Sequence, residues 1–422
     1  MDWCFVSLSR RRFLTGAGGT AAALAIGAGC SADSGPAGAA ARPESTTVPF
    51  EGKHQAGVTT ATQQRLLFIA FDVLPGTQPG DLSTLLQTWT TLARRLTQGQ
   101  TAGNTAPADG AAPPDDNGEA LGLGPNSLTM TFGFGRSLFV ADDGTDRFGL
   151  EAKLPAALQD IPSFGSLDVL DPQRSDGDIG VQICCDDPQV AFHAMHHLAG
   201  TSKGVLTARW SQLGFGPSSS TSTKQTTPRN LMGFKDGTNN VKGEDRAVMT
   251  EAVWVGASDG PAWMTGGTYL VARRIRILLE VWDRASLTDQ QTTFGRKKLN
   301  GAPLSGSTEF DDLDLDKKDP DGLPTIPLTA HVRLAHPTTS GVKLLRRGYN
   351  YTDGIDPVTG QLDSGLFFIA FQRNPATQFV ELQQQLARVD ALNEYIKHTT
   401  SALFAVPPGV TADGWIGQSM FE

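Results

Sequence analysis

One six-residue sequence occurs twice in the chain, almost unchanged: residues 66–71 read LLFIAF and residues 366–371 read LFFIAF. Each copy has the length of a buried β-strand, and each is followed by apolar residues spaced three and four apart, as on one face of an α-helix. These residues are Leu82, Leu85, Leu86, Trp89, Leu92 and Leu96 after the first copy, and Phe379, Leu382, Leu386, Val389, Leu392 and Ile396 after the second. The repeated strand-then-helix pattern favours two similar halves over a coincidence between two buried strands.

The remaining apolar segments predict an α+β fold. Further strand candidates are residues 127–134, 179–185, 268–282 and 326–334. Because strands and helices follow one another without a strict βαβ rhythm, we expect antiparallel sheets. A chain of 422 residues is long enough for two domains, each with its own core.

Two segments of small or polar residues divide the chain. Residues 31–47 are rich in Ala, Gly, Pro and Ser, which is typical of a flexible tether. Residues 216–228 are rich in Ser and Thr and are the best candidate for a boundary between two halves. We therefore expect a signal and tether over 1–47, an N-terminal domain over 48–222 and a C-terminal domain over 223–422.

The N-terminus has the pattern of an export signal. A run of arginines at 10–12 precedes Phe13 and a mild apolar segment at 21–28, which is too short to span a membrane. This pattern predicts export of the folded protein by the twin-arginine route, to the periplasm or another extracytoplasmic location. Cys30 could be acylated as a lipid anchor, although the large aliphatic residue usual three positions before such a cysteine is missing.

Charge and cysteine content exclude other classes. The net charge of −9 argues against a nucleic-acid partner, because phosphate backbones are bound by an excess of Lys and Arg. No stretch after residue 30 is long and apolar enough for a membrane span. Cys184 and Cys185 are neighbours in a strand-like run and point to opposite faces, so we expect no disulfide between them.

Histidine is scarce, with 7 in the chain, and His331 lies in the strand-like segment TAHVRLAHP. If this segment is a strand, His331 and Arg333 share one face and His336 points to the other. A single histidine in a strand is more often a packed or surface residue than a ligand. Downstream, Arg346 and Arg347 lie together in a second apolar run, so one of them must point inward, where a guanidinium needs an anion.

The segment NLMGFKDGTNN at residues 230–240 is dense in residues that could meet a ligand. By default, Asp236 between Lys235 and Gly237 indicates a turn in which glycine supplies a positive φ. Gly233 and Gly237 would also let the chain approach a flat ligand closely and hold the carboxylate of Asp236 over it.

These segments together resemble one family. GFKDGTNN at 233–240 resembles the Gly-x-x-Asp-Gly signature of the dye-decolourising (DyP-type) haem peroxidases. HVRLAHP at 331–337 is similar to the segment that carries this family's proximal histidine, and LRRGYNY at 345–351 to the segment that carries its distal arginine. With the twin-arginine pattern, the chain is most similar to the exported deferrochelatase/peroxidase branch associated with iron uptake. The resemblance implies two tandem ferredoxin-like domains with antiparallel sheets and haem in the C-terminal domain.

The resemblance also implies roles for single residues. His331 would be the axial iron ligand, Asp236 the distal acid–base group, and Arg346 the distal arginine that stabilises developing charge. The further haem contacts implied are Gly237, Thr238, Asn239, Arg296, His336 and Pro337. The cofactor would be one non-covalent haem b per chain, and the sequence has no Cys-x-x-Cys-His motif for covalent attachment.

Two departures from the family pattern affect this assignment. The position of His336 is more often Asn, so His336 could compete with His331 as a ligand. The spacing from His331 to Arg346 is also shorter than is usual, which implies a trimmed loop around residues 338–341.

The resemblance implies a peroxidase that reduces hydrogen peroxide and oxidises phenolic or dye-like donors. A carboxylate as distal base predicts best activity at acidic pH, because a free aspartate titrates near about 4. The alternative is a deferrochelatase that removes iron from haem and leaves the porphyrin intact, with iron-uptake proteins of the cell envelope as partners. One pocket would serve both activities, and the sequence does not indicate an oligomeric state.

Three further histidines, His193, His196 and His197, lie at helical spacing. Such spacing can bind a metal, but it is also that of an ordinary polar helix face, and we adopt the second interpretation here.

Overall fold

The computed structural model describes residues 46–422, and the predicted export signal, Cys30 and most of the tether lie outside these residues. The described part contains nine strands, β1 Arg65–Val73, β2 Thr129–Gly135, β3 Ile179–Cys185, β4 Leu206–Pro217, β5 Thr268–Ile277, β6 Leu345–Arg346, β7 Tyr349–Ile355, β8 Leu362–Gln372 and β9 Ile396–Val406. All of their pairings are antiparallel, as the sequence predicts.

The described part also contains ten α-helices. They are α1 Pro79–Thr97, α2 Arg136–Phe139, α3 Pro188–Thr201, α4 Arg246–Ala252, α5 Leu279–Trp282, α6 Leu287–Phe294, α7 His331–Ala335, α8 Pro337–Ser340, α9 Glu381–Val389 and α10 Gln418–Phe421. Within residues 46–422, no helix has the length and apolar character that a membrane crossing requires.

The strands form two halves of the same topology. The N-terminal half has the order β4-β1-β3-β2, with α1 between β1 and β2 and α3 between β3 and β4. The C-terminal half has the order β9-β5-β8-β7, with the short β6 beside β7 on β8. In each half the fourth strand pairs with the first, and the first and second each pair with the third, which is the ferredoxin-like arrangement.

The two halves join into one closed sheet. β4 of the first half pairs with β7 of the second, and β2 of the first pairs with β9 of the second. Since β5 also pairs with β8, the ring has no break. Closure leaves few free sheet edges, which would otherwise be open to pairing with another chain.

The repeated six-residue sequence does not occupy equivalent positions in the two halves. The first copy lies in β1, the first strand of its half, and the second lies in β8, the third strand of its half. A ferredoxin-like half consists of two strand–helix–strand units, so both copies begin such a unit. The two halves do share one topology, but the repeat aligns the first unit of one half with the second unit of the other.

Of the two helices predicted after the repeat, the first agrees with the prediction and the second is shorter than predicted. Helix α1 buries all six of the predicted apolar residues. Helix α9 is shorter than predicted and ends at Val389, because the carboxylate of Asp390 accepts the backbone N–H of Leu392, 2.9 Å away, and begins a separate turn. Leu392 lies in that turn and Ile396 begins β9, so neither belongs to the helix.

The core has two layers, on the two faces of the closed sheet. Alternate residues of β1, such as Leu66 and Phe68, pack inside the ring against strands of the other half. Leu67 and Ile69 of β1 point outward and pack against α1 and α3. Cys184 belongs to the inner layer and Cys185 to the outer, and both are free thiols, as their alternation in a strand predicts.

Candidate functional site

A cavity of about 250 Å³ lies in the C-terminal half, and all of its lining residues fall between 230 and 398. One wall is the outer face of the sheet, where alternate residues of β5, β8 and β9 point into the cavity. The other walls come from the segment of residues 230–241, from α7 and from α9. In the N-terminal half the same sheet face is covered by α1 and α3, so the cavity occupies the position of a packed helical layer.

His331 begins helix α7, and the prediction of a strand over residues 326–334 is wrong at this position. The backbone N–H groups of Arg333 and Leu334 both bond the carbonyl of Ala330, so the chain turns into a helix there. Proline at 337 then ends it, because a prolyl nitrogen cannot donate within a helix. As a result, Arg333 does not share a face with His331: it points away from the cavity and donates to the carbonyls of Ile326 and Leu315.

The imidazole of His331 is held by a carboxylate. Its Nδ1 atom lies 2.6 Å from Oδ2 of Asp390. A carboxylate only accepts hydrogen bonds, so Nδ1 carries the proton and the lone pair of Nε2 is left for a metal. Burial acts to lower the pKa of His331, but the charge of Asp390 and its hydrogen bond outweigh burial and raise it.

Asp236 and Arg346 form an ion pair at the same cavity. The Nη1 atom of Arg346 donates to Oδ1 of Asp236 at 2.8 Å, and Nδ2 of Asn230 approaches Oδ2 at 3.4 Å. Asn240 fixes the position of Arg346, because its side-chain amide accepts the Arg346 N–H at 2.9 Å and donates to its carbonyl at 2.8 Å. The structure therefore brings together the two residues that the sequence places 110 positions apart.

The glycines beside Asp236 have the predicted backbone but a different neighbour. Gly233 and Gly237 have φ values of +86° and +84°, as expected for a turn. A Cβ atom on Gly237 would lie 3.0 Å from the backbone of Ser219, and one on Gly233 would lie 2.8 Å from the side chain of Lys298. The close approach that these glycines permit is thus to the protein itself, and it sets the path of the chain that carries Asp236.

Both arginines of the 346–347 pair point inward. Arg346 meets the anion that its position requires, namely Asp236. Arg347 is fully buried and has no carboxylate partner within residues 46–422; it donates to the carbonyl of Thr60 and to the side-chain oxygen of Gln63. The inference that an inward guanidinium needs an anion therefore holds for Arg346, whereas Arg347 uses neutral oxygens.

The other predicted contact residues all line the cavity, and they are Gly237, Thr238, Asn239, Arg296, His336 and Pro337. Thr238 donates to Oε1 of Glu309 at 3.1 Å, and Lys235 pairs with the same carboxylate. The Nδ1 atom of His336 lies 2.7 Å from the hydroxyl of Thr338, at the start of α8. The segment 338–341, where a trimmed loop was expected, forms most of α8 and its glycine end.

Arg296 is buried at the cavity without a carboxylate partner among the described residues. Its Nη1 atom donates to the carbonyls of Gly301 and Glu309, at 2.7 and 3.0 Å. Burial lowers the pKa of Arg296, Glu309 acts in the opposite direction, and Arg346 adds to the lowering. A buried guanidinium in this state is stabilised by an anion placed in the cavity.

The cavity residues fit the haem that the resemblance implies. Helix α9 is amphipathic and has no fully buried residue, because its apolar Leu382 and Leu386 face the cavity. The sheet wall of the cavity carries the apolar side chains of Ile275, Leu366 and Phe368, so it suits an apolar ligand. A flat apolar macrocycle with anionic propionates matches these walls, the Nε2 of the histidine on α7 and the guanidinium of Arg296, which has no carboxylate partner among the described residues.

Sequence reasoning missed three residues that hold the site. Asp390 follows an amphipathic helix and precedes a turn, so the sequence shows it only as a helix boundary. Asn240 holds the backbone of Arg346, and Glu309 pairs with Lys235. Asn240 belongs to the quoted segment of residues 230–240, which could have marked it, whereas Glu309 lies in a loop without any distinguishing pattern.

Comparison with known proteins covers both halves of the chain. The family model of the Dyp-type peroxidase N-terminal domain matches residues 55–216, and that of the C-terminal domain matches residues 227–411. A deferrochelatase of Yersinia pestis is 38% identical over 99% of this chain and 96% of its own length. A deferrochelatase of Shigella flexneri is 36% identical over 98% of this chain and 97% of its own length.

Solved structures agree with the sequence comparison. The DyP-type peroxidase of Streptomyces coelicolor superposes with a TM-score of 0.81 at 41% identity, covering 90% of this chain and 98% of that one. The DyP-type peroxidase of Cellulomonas bogoriensis gives a TM-score of 0.79 at 37% identity, covering 90% of this chain and 100% of that one. Dyp-type peroxidases and deferrochelatases are haem proteins and enzymes. On the evidence of both family models and of relatives matched over nearly the whole length, this chain belongs to the Dyp-type peroxidase family.

Proposed function

We propose that this enzyme is a haem b peroxidase, with one non-covalent haem per chain in the cavity of the C-terminal half. The observation that carries the proposal is the convergence of two groups on one cavity. His331 presents a free Nε2, with Nδ1 fixed by Asp390, and the Asp236–Arg346 ion pair lines the same space. Neither of the two cysteines in the described part of the chain, Cys184 and Cys185, lines the cavity, which supports non-covalent binding.

The residues that would hold the haem differ in chemistry. His331 would bind the iron through Nε2, and Asp390 would orient the ring and increase its basicity. Arg296 would pair with a propionate. Gly237, Thr238, Asn239, His336 and Pro337 would contact the macrocycle at the cavity wall.

Bound haem would supply the iron centre that exchanges electrons with hydrogen peroxide and with the donors. The protein's part is proton transfer. Asp236 would take a proton from one peroxide oxygen and return it to the other, so that the O–O bond breaks with water as the leaving group. Its Oδ1 accepts from Arg346 at 2.8 Å, whereas Oδ2 has only the long contact with Asn230 at 3.4 Å, so Oδ2 is the atom available for this proton. Arg346 would hold the carboxylate in place and would stabilise charge on the departing oxygen.

The complete reaction reduces one hydrogen peroxide to two waters and takes two electrons and two protons from two donor molecules. Phenols and dye-like aromatics are donors that can give one electron and one proton each. The chain is thus proposed to act on hydrogen peroxide and small aromatic donors.

The test compares Asp236→Asn with a matched variant elsewhere. Asp72 also pairs with an arginine, Arg209 at 3.0 Å, but lies in the N-terminal half and away from the cavity. Turnover of a phenolic donor by the haem-loaded enzyme should fall by about 10²–10⁴-fold in Asp236→Asn and stay unchanged in Asp72→Asn. Equal activity of Asp236→Asn and the unaltered enzyme would remove Asp236 from the mechanism.

A second candidate, a deferrochelatase of iron uptake, is favoured by the relatives that carry this name and match the chain over nearly its whole length. In that reaction the iron of haem leaves and two protons take its place on the porphyrin nitrogens. Incubation of the haem-loaded protein without peroxide should then release metal-free protoporphyrin, measured by its fluorescence. Intact haem after many hours, together with peroxide-dependent turnover, would exclude the deferrochelatase activity and support only the peroxidase.

The location and domain bounds remain part of the proposal. The arginines at 10–12 support twin-arginine export to the periplasm or another extracytoplasmic site, with Cys30 as a lipid anchor and iron-uptake proteins of the envelope as partners. Replacing the three arginines with lysine should keep the protein in the cytoplasm, as measured by cell fractionation.

We propose the domains as residues 48–222 and 223–422, with the boundary between the two family matches.

A further inference from the structure

A second cluster of possible ligands lies in the N-terminal half, outside the haem cavity. His193 and His197 are four residues apart on α3 and therefore share one face of the helix. The loop that follows α1 brings Asp116 and Glu119 to this face, and the ligand atoms of all four residues lie within 4.8 Å of one another. The sequence alone shows only the histidines, and their spacing by itself indicates a polar helix face.

One pair in this cluster is at hydrogen-bond distance, and the other three histidine–carboxylate pairs are too far apart for a hydrogen bond but close enough to share a small cation. Nε2 of His193 lies 2.9 Å from Oδ2 of Asp116 and 3.8 Å from Oε2 of Glu119. Nε2 of His197 lies 3.8 and 3.9 Å from the same two oxygens. Four ligands around a tetrahedral zinc ion, at bonds of about 2.0–2.2 Å, are separated from one another by about 3.3–3.6 Å.

Two buried atoms of the cluster lack any hydrogen-bond partner among the described residues. They are Nε2 of His197, whose side chain is 10% exposed, and Oε2 of Glu119. These atoms face each other at 3.9 Å, which is too long for a hydrogen bond. Buried polar atoms without partners are rare and costly in native proteins. A cation between them would satisfy both.

Backbone groups fix one of these ligands in place. The N–H groups of Ala102 and Gly118 donate to the two carboxylate oxygens of Asp116, at 2.6 and 2.7 Å. They hold this carboxylate as outer-shell partners hold a metal ligand.

We propose that Asp116, Glu119, His193 and His197 form a structural site for a divalent transition cation of the zinc class. Two imidazoles and two carboxylates are a ligand set that zinc accepts, and four protein ligands leave no open position for catalysis. The bound ion would fasten the loop of residues 101–124 to α3. The site is independent of the haem cavity.

The test uses full-length protein without a histidine tag, treated with EDTA and then titrated with zinc chloride. Calorimetry and elemental analysis should show one zinc per chain, and zinc should raise the melting temperature by several degrees. The double variant His193→Gln/His197→Gln should bind zinc about 100-fold more weakly or worse. His54→Gln is the control, because His54 bonds the carbonyl of Gly266 and lies outside both the four ligands and the haem cavity; it should keep the zinc.

Several results would overturn the site. EDTA-treated protein that takes up no zinc would do so, as would equal zinc binding by the double variant. If the double variant does not fold, X-ray absorption at the zinc edge of the unaltered protein still decides the matter. Nitrogen and oxygen neighbours at about 2.0–2.1 Å with the scattering of two imidazoles are expected, and a shell without imidazole contradicts the site. Haem-dependent turnover should be the same in all of these proteins.

Discussion

The Nδ1 atom of His331 lies 2.6 Å from Oδ2 of Asp390. His331 begins helix α7, and Asp390 begins the turn that follows α9. This contact fixes which ring nitrogen of His331 faces the cavity. The carboxylate also takes part in local structure, since its Oδ1 accepts the backbone N–H of Leu392 at 2.9 Å. One side chain thus couples the orientation of the proposed iron ligand to the end of the helix that forms the cavity wall.

Asp390→Asn should weaken haem binding by about 10–100-fold, because the outer partner of a metal-binding histidine has effects of this size. Asparagine can still accept the Leu392 N–H, so the turn is retained. The measurement is a titration of the haem-free protein with haem, followed by absorbance. An unchanged affinity, with unfolding stability also unchanged, would mean that Asp390 does not act through His331.

The parts of the fold that the sequence predicts correctly are those with local periodicity. Helix α1 follows from its six apolar residues, and strand 179–185 is found with the same bounds. The segment at 326–334 fails because five residues before a proline are too few to separate a helical from an alternating pattern. Asp390 and Glu309 could not be assigned because their partners lie 59 and 74 positions away, which only the tertiary structure brings together.

Arg296→Met should reduce haem affinity about tenfold or more, because a charge-assisted hydrogen bond contributes about 1.5–3 kcal/mol. Methionine keeps much of the apolar stem and removes the guanidinium. Haem dimethyl ester, which lacks the propionate charge, is the matched ligand and should bind equally to both proteins. If the variant loses affinity for both ligands alike, Arg296 acts by holding the carbonyls of Gly301 and Glu309.

His398 should make the folded protein sensitive to mild acid. It is buried beside Arg273 and Asp168, and burial is the main cause that lowers its pKa to about 4. Between about pH 6.5 and 4 the unfolded chain therefore binds a proton that the folded protein does not. The contribution of His398 to the free energy of unfolding should fall over this window by up to about 3 kcal/mol as the pH decreases. Asp176, whose pKa burial raises to about 6, acts in the opposite direction and is the same in a variant at His398. Asp168 changes the free energy of unfolding only at lower pH than this window, because its pKa lies below the usual value of aspartate.

The check is urea unfolding of the haem-free protein at several pH values, for the unaltered chain and for His398→Asn. The asparagine oxygen can still accept from Arg273 but does not titrate. The difference between the two proteins should grow with pH from 4 to 6.5 and then level off. A constant difference across this range would show that His398 titrates normally in the folded protein.

The axial ligand is the point on which the account depends most directly. Haem-loaded protein, His331→Ala and His336→Ala should be compared by visible absorption and electron paramagnetic resonance, with and without added imidazole. We predict that His336→Ala keeps the spectrum of the unaltered protein, whereas His331→Ala loses the histidine-ligated signal, loses about 100-fold or more in peroxide turnover, and regains the signal with imidazole. A His331→Ala protein with the unaltered spectrum, or loss of the signal in His336→Ala instead, would contradict the account.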